Sequence, residues 1–77
     1  KKKVRINSIS AGMLNSKILD NLKTKLPKQY ISEIEKKHPL GIGEYQDVVN
    51  SILFFLSENS KWITGTNFIV DGGYSAN

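Results

Sequence analysis

Three β-branched residues stand among polar residues at the start of the chain. They are Val4, Ile6 and Ile9, with lysines before them and Ala11-Gly12 after them. A short run of this kind, bounded by turn residues, is typical of a strand. The pattern predicts a β-strand over Val4 to Ser10.

The next segment carries apolar residues at helical spacing and is interrupted by a proline. The first set is Ile18, Leu19, Leu22 and Leu26, and the second set, after Pro27, is Ile31 and Ile34. Pro27 disfavours helical geometry at the residue before it and cannot donate a backbone amide. Two short amphipathic helices are therefore predicted between residue 16 and about residue 37, rather than one continuous helix.

A broader apolar face follows the turn Pro39 to Gly43. It lies between Glu44 and about Ser57 and consists of Val48, Val49, Ile52, Leu53, Phe55 and Leu56. Glu44 and Asp47 add negative charge at the amino end, where it complements the helix dipole. The pattern predicts a well-buried helix from Glu44 to about Ser57.

A second strand is predicted near the other end of the chain. Thr66 to Val70 is rich in β-branched and aromatic residues, and Asp71-Gly72-Gly73 closes it. Two strands joined through a helix predict a parallel pair with the helix packed across one face. The fold class is α/β, in the order strand, lid helices, long helix, strand. The second face of such a sheet and its free edge require a cover.

Length and composition limit the possible functions. Seventy-seven residues allow one small domain, the absence of cysteine excludes disulfides and thiolate metal sites, and no apolar stretch is long enough to cross a membrane. The net charge of +4 includes Lys1, Lys2 and Lys3, a solvated lead-in to the first strand. Because only +1 remains without them, we expect no nucleic-acid binding. We expect no metal site and a cytoplasmic location.

Six short motifs follow one another along the chain. They are Arg5–Gly12, Pro39–Gly41, Glu44–Val48, Leu53–Ser57, Ile63–Gly65 and Val70–Gly73. In this order they resemble the carboxy-terminal part of classical short-chain dehydrogenases/reductases, similar to 3-oxoacyl-[acyl-carrier-protein] reductases. The resemblance covers nearly the whole chain. It departs from the family at Ala11 and Tyr45, where the family has proline, and the arginine that often follows P-L-G is missing.

The resemblance implies a fold and a cofactor. Residues 1–77 would form a single partial domain, the carboxy-terminal part of a doubly wound Rossmann-like parallel sheet, with a substrate lid over residues 16–38. The family's cofactor is NAD or NADP. By the same resemblance, the backbone of Leu14 would meet the nicotinamide carboxamide, and Ser16 would replace a threonine that bonds the cofactor's amide or phosphate. Gly12 would permit close approach of the backbone.

The resemblance also implies self-association, through Glu44–Ser57 and Thr66–Val70. Met13, Ile18 and Leu19 could face an apolar substrate or serve the ordinary packing of an amphipathic helix. His38 has no carboxylate and nucleophile beside it in sequence, and we interpret it as a loop residue without a catalytic role.

Two motifs of the family are not found in these 77 residues. The glycine loop T-G-x-x-x-G-x-G is absent, and neither Tyr30 nor Tyr45 has a lysine four positions later. No catalytic residue is assigned. We expect a fragment of an NAD(P)-dependent oxidoreductase that is inactive alone and binds no cofactor tightly. The substrate and the choice between NAD and NADP stay open. The alternative is a standalone interaction or structural module that uses the same apolar faces.

Overall fold

Residues 3–76 are described by a computed structural model, so the predicted lead-in at Lys1 and Lys2 lies outside the described residues. The elements in chain order are β1 (Ser8–Ala11), α1 (Lys17–Lys25), α2 (Lys28–Lys36), α3 (Tyr45–Leu56) and β2 (Asn67–Val70). Single turns of 3₁₀ helix follow α3 at Glu58–Ser60 and β2 at Tyr74–Ala76. The predicted order of elements is confirmed.

The two strands pair in parallel, as predicted, from Ser8 opposite Asn67 to Ala11 opposite Val70. β2 begins within one residue of its predicted start. The predicted start of β1 at Val4 is wrong, because pairing begins four residues later. Residues 63–66, which would have to pair with the segment before Ser8, are not in a strand and bend at Gly65, whose φ is +74°.

One backbone hydrogen bond and several side chains hold the segment before β1, where the amide of Gly65 donates to the carbonyl of Ile6 at 2.8 Å. Asn7 bonds both sides of the bend: its Nδ2 donates to the carbonyl of Ile63 at 3.1 Å, and its Oδ1 accepts from the amide of Thr66 at 3.1 Å. The guanidinium of Arg5 donates to the carbonyl of Ile63 at 3.2 Å and to that of Phe55, in the last turn of α3, at 2.9 Å. The motifs Arg5–Gly12, Leu53–Ser57 and Ile63–Gly65 therefore meet at one end of the sheet.

Helix α3 crosses from one strand to the other within one residue of its predicted bounds. It begins at Tyr45 without the family's proline, because the amide of Glu44 donates to Asp47 Oδ2 at 2.8 Å and fixes the first turn. Phe55 packs edge-to-face on Phe68 of β2, with ring centroids 5.3 Å apart. The prediction of a well-buried helix is wrong, since α3 contains no buried residue. Two strands are too narrow to cover its apolar face, and Leu53 is 57% exposed.

The two short helices predicted on either side of Pro27 are confirmed, whereas the lid role of residues 16–38 stays a prediction. Leu19 of α1 and Ile31 of α2 are the buried apolar residues of the described chain, 1% and 8% exposed. Leu19 thus serves helix packing, whereas Ile18 is 73% exposed. Among the residues described, no helix is long and apolar enough to cross a membrane.

We predict that Asn7→Ala lowers the free energy of unfolding by about 1–3 kcal/mol, because it removes two hydrogen bonds and leaves the Thr66 amide without its acceptor. Urea unfolding followed by circular dichroism measures this. Asn21→Ala, on the exposed surface of α1, is the control and should change stability by less than about 0.5 kcal/mol. Equal stabilities of the two variants would contradict the role given to Asn7.

Candidate functional site

The carboxyl ends of the two strands lie side by side, since the strands are parallel. The amide of Gly12, the first residue after β1, donates to the carbonyl of Val70 at 2.9 Å. A Cβ atom on Gly12 would lie 2.7 Å from Cβ and 2.8 Å from Cα of Asp71. The structure thus gives Gly12 a role that sequence reasoning missed: it allows β1 and the end of β2 to approach.

Leu14 forms an isolated parallel bridge with Gly43. Its two neighbours make the hydrogen bonds of this bridge, because the amide of Gly43 donates to Met13 at 3.0 Å and the amide of Asn15 donates to Gly43 at 2.7 Å. The amide and carbonyl of Leu14 point to the opposite side. Neither makes a hydrogen bond to another described residue. Leu14 therefore presents one donor and one acceptor together at the carboxyl edge of the sheet.

Ser16 is the N-cap of α1. Its hydroxyl oxygen accepts from the amide of Leu19 at 3.4 Å, and its backbone is extended, as N-cap positions require. A serine hydroxyl has one donor and two acceptor sites. Capping uses an acceptor site, so the O–H remains able to donate to a ligand.

Asp71 organises the turn after β2. Its Oδ1 accepts from the amide of Gly73 and its Oδ2 from the amide of Ser75, each at 3.0 Å. The Ser75 hydroxyl and these amides stabilise the charged form and hold the pKa of Asp71 below its usual value, against a smaller opposing effect of desolvation. Sequence reasoning used Asp71 only as part of a motif. Its signal was an aspartate before two glycines, which favours a turn closed by the side chain.

Two clefts border this edge of the sheet. The larger, of about 520 Å³, lies between the end of β1, α2 and the turn after β2, and Gly12, Met13, Ile34, His38 and Tyr74 contribute to its wall. The smaller, of about 290 Å³, is lined by Met13 and Leu14 together with residues of the turns at 40–43 and 70–72. Gly12 and Leu14 thus open onto adjoining clefts with Met13 between them. Ser16 lines neither cleft.

His38 lies in a loop, as predicted, but it is 5% exposed. Its Nδ1 lies 2.8 Å from the carbonyl oxygen of Ile34, and its ring stacks on Tyr74. The expectation that it has no catalytic role stays a prediction. Within residues 3–76, no cluster of three or more histidine, aspartate or glutamate side chains is suited to hold a metal ion.

Comparison with known proteins identifies the family. Residues 1–75 match the family described as Enoyl-(Acyl carrier protein) reductase. Seventy-three residues are 38% identical to 2,5-dichloro-2,5-cyclohexadiene-1,4-diol dehydrogenase LinX of Sphingobium indicum, covering 94% of this chain and 28% of that protein. Seventy-four residues are 35% identical to the NADP-dependent (R)-specific alcohol dehydrogenase of Lentilactobacillus kefiri, covering 95% of this chain and 28% of that protein. The chain belongs to the short-chain dehydrogenase/reductase family.

Solved structures confirm the fold class. The structure of 4-hydroxyisoleucine dehydrogenase complexed with NADH superposes with a TM-score of 0.83 at 33% identity, over 96% of this chain and 30% of that one. The α/β elements described above are therefore a piece of a Rossmann-type dehydrogenase fold. The chain spans 28% of the length of these two dehydrogenases and 30% of the solved 4-hydroxyisoleucine dehydrogenase.

We predict that the stability contribution of Asp71 depends on pH in the acid range. Because folding lowers the pKa of this carboxyl, its contribution is fully present above the unfolded pKa, about 4, and is lost as the pH falls through the lower folded pKa. Urea unfolding at a series of pH values should show Asp71→Asn less stable than the wild type near neutrality and the difference shrinking below about pH 4.

Ser75→Ala is the matched variant, because it removes the hydroxyl donor and keeps the amide. Its free energy of unfolding should show only part of the pH dependence that the wild type shows in the acid range. A constant difference between the wild type and Asp71→Asn from neutral pH to strongly acid pH would show that the charge of Asp71 contributes nothing.

Proposed function

We propose that this chain is the carboxy-terminal part of an NAD(P)-dependent short-chain oxidoreductase and that it holds the nicotinamide end of the cofactor. The observation that carries the proposal is the backbone of Leu14, whose amide and carbonyl face away from Gly43. In open α/β sheets, ligands bind outside the carboxyl ends of the strands. Leu14 lies at this edge.

The chemistry of Leu14 fits a carboxamide. A carboxamide has an NH₂ group that donates and a carbonyl that accepts, and one extended residue offers both complementary groups on one side. Gly12, two residues earlier in the chain, carries no side chain that would obstruct the approach of a flat ring. The Ser16 hydroxyl supplies a further donor to the cofactor's amide or phosphate. The nicotinamide supplies or accepts the hydride, and these residues orient it.

The reaction itself depends on residues other than these 77. The glycine loop for the pyrophosphate and the tyrosine–lysine pair for proton transfer belong to the part of the family's fold that this chain does not match. We therefore infer that the isolated chain is inactive and has no measurable affinity for NAD or NADP. A cytoplasmic location is part of the same proposal. One relative, the alcohol dehydrogenase, is named as NADP-dependent, and another, 4-hydroxyisoleucine dehydrogenase, is described in complex with NADH.

The second candidate function is a standalone interaction module, and the open apolar face of α3 favours it. Ile52, Leu53 and Leu56 are 41%, 57% and 77% exposed. Surface of this kind marks contact sites. If the chain is part of an oxidoreductase, we propose that the same face of α3 and strand β2 form the interface for self-association, through Glu44–Ser57 and Thr66–Val70. Both candidate functions therefore require a contact surface, and only the oxidoreductase requires cofactor binding.

We predict that Leu14→Pro weakens binding of NADH or NADPH to the full-length gene product by about 10- to 100-fold, which corresponds to about 1.5–3 kcal/mol for one lost donor. Proline removes the amide of residue 14 and leaves the two hydrogen bonds of the Leu14–Gly43 bridge in place. Fluorescence titration with each dinucleotide measures the dissociation constants.

Leu14→Ala is the control, since it retains the amide, and it should bind about as well as the wild type. Unchanged affinity in the proline variant would refute the role of Leu14. Saturable, tight binding of either dinucleotide by the isolated chain would contradict the proposal that much of the cofactor site is formed by residues other than these 77.

We predict that Leu53→Lys reduces the oligomer mass of the full-length gene product in light scattering, because it places a charge on the apolar face of α3. Ile18→Lys is the control: it is 73% exposed on α1, outside the proposed interface, and should leave the mass unchanged. If both variants keep the wild-type mass, α3 is not the interface.

A further inference from the structure

We propose that Tyr74 and His38 are positioning residues that fix the lid segment, residues 16–38, over the carboxyl edge of the sheet. Neither residue is assigned to the chemistry of the site. Their contact joins the tail segment, residues 71–76, to the carboxyl end of α2. That Tyr74 and His38 hold the lid in place is inferred from contacts within the chain. That the position of the lid affects dinucleotide binding rests on the proposed function.

The lid is attached to the rest of the chain mainly at its two ends. The backbones of α1 and α2 approach each other, and neither approaches β1, β2 or α3 within the part of the chain that is described. The amino end of the lid follows the Leu14–Gly43 bridge. Its position therefore depends on that bridge and on how its carboxyl end, at His38, is held.

The His38 ring is held on both sides. Its Nδ1 lies 2.8 Å from the carbonyl oxygen of Ile34, and since a carbonyl only accepts, Nδ1 carries a proton and donates. This bond ties the ring to the last turns of α2. Tyr74 stacks on the ring with centroids 4.8 Å apart and planes inclined by 29°. An aromatic pair with this spacing is attractive beyond the area that it buries.

The tail that carries Tyr74 is fixed in turn. The amide of Leu40 donates to the carbonyl of Gly72 at 2.9 Å, and a Cβ atom on Gly73 would lie 3.0 Å from Cγ of Pro39. The carboxylate of Asp71 accepts two amides of the same tail. The tail thus follows the loop after His38 closely, and β2 anchors it to the sheet.

The stack lies where a shift of the lid changes the binding site. Ile34 and His38 form the lid side of the larger cleft and Tyr74 forms its tail side, while Met13 lines this cleft and also the smaller cleft that Leu14 borders. If the stack is lost, α2 is free to move away from Met13. Tyr74 thus acts through His38 on the residence time of a ligand and does not contact reacting atoms.

The test compares Tyr74→Leu with Tyr74→Phe in the full-length gene product. Leucine keeps apolar volume and removes the ring, whereas phenylalanine keeps the ring and removes the hydroxyl. Hydrogen–deuterium exchange of the α2 amides should be about 2- to 10-fold faster in Tyr74→Leu, the range expected for loss of one aromatic pair, and unchanged in Tyr74→Phe. Exchange in α3 should be unchanged in both.

A functional readout separates positioning from general stability. In Tyr74→Leu, the KM for the dinucleotide should rise with kcat retained, whereas a merely structural defect lowers the active fraction and leaves KM unchanged. His38→Phe retains a ring for the stack and serves as a second variant if Tyr74→Leu fails to fold. The α2 amides should exchange hydrogen for deuterium more slowly in His38→Phe than in His38→Leu.

Three results would overturn the proposal. They are wild-type exchange of α2 in Tyr74→Leu, equal acceleration in Tyr74→Leu and Tyr74→Phe, and acceleration that extends over α3. If the protein binds no dinucleotide, the proposed function fails, and the exchange measurement still decides whether Tyr74 and His38 hold the lid.

Discussion

The parallel pairing of β1 with β2 is the interaction on which the rest of the structure depends, because it joins two segments from opposite ends of the chain. It requires α3 to cross from one strand to the other, and it places both carboxyl ends at one edge. Asn7 fixes the pairing at its start, where its amide side chain bonds Ile63 and Thr66. Gly12 permits close contact at its end, where any side chain would meet Asp71. The candidate site exists because these two contacts bring residues 12–16 beside residues 71–73.

Much of this arrangement could be predicted from the sequence, because the apolar spacing of the helices and the break at Pro27 are local signals. Two predictions failed for non-local reasons. Val4 lacks a strand partner because residues 63–66 bend at Gly65 instead of continuing β2 backwards. The apolar stripe of α3 shows which face requires a cover, but it does not show how wide the sheet beneath that face is. At the site, the resemblance supplied Gly12, Leu14 and Ser16. It did not reveal that Ser16 caps α1 or that His38 is buried, since both depend on contacts formed only in the fold.

One physical cause underlies both the open apolar surface and the unpaired backbone groups of Leu14. A sheet of two strands covers only part of the apolar face of a helix and leaves its edges without further strands. Leu56 and Trp62 are therefore 77% and 97% exposed, and Leu14 presents backbone groups without partners among the described residues. Relatives in which this segment makes up 28% of the chain have the remaining length to extend the sheet. The segment contributes an edge of the sheet and two helices that we propose form a lid, and its chemistry depends on what packs against them.

We propose that the backbone of Leu14 receives the nicotinamide carboxamide, and a crystal structure of the full-length gene product with bound NADH or NADPH would show this contact. We expect the Leu14 amide within about 2.7–3.2 Å of the carboxamide oxygen and the Leu14 carbonyl at a similar distance from the carboxamide nitrogen. A structure in which the carboxamide bonds other residues, while the backbone of Leu14 pairs with protein, would contradict it.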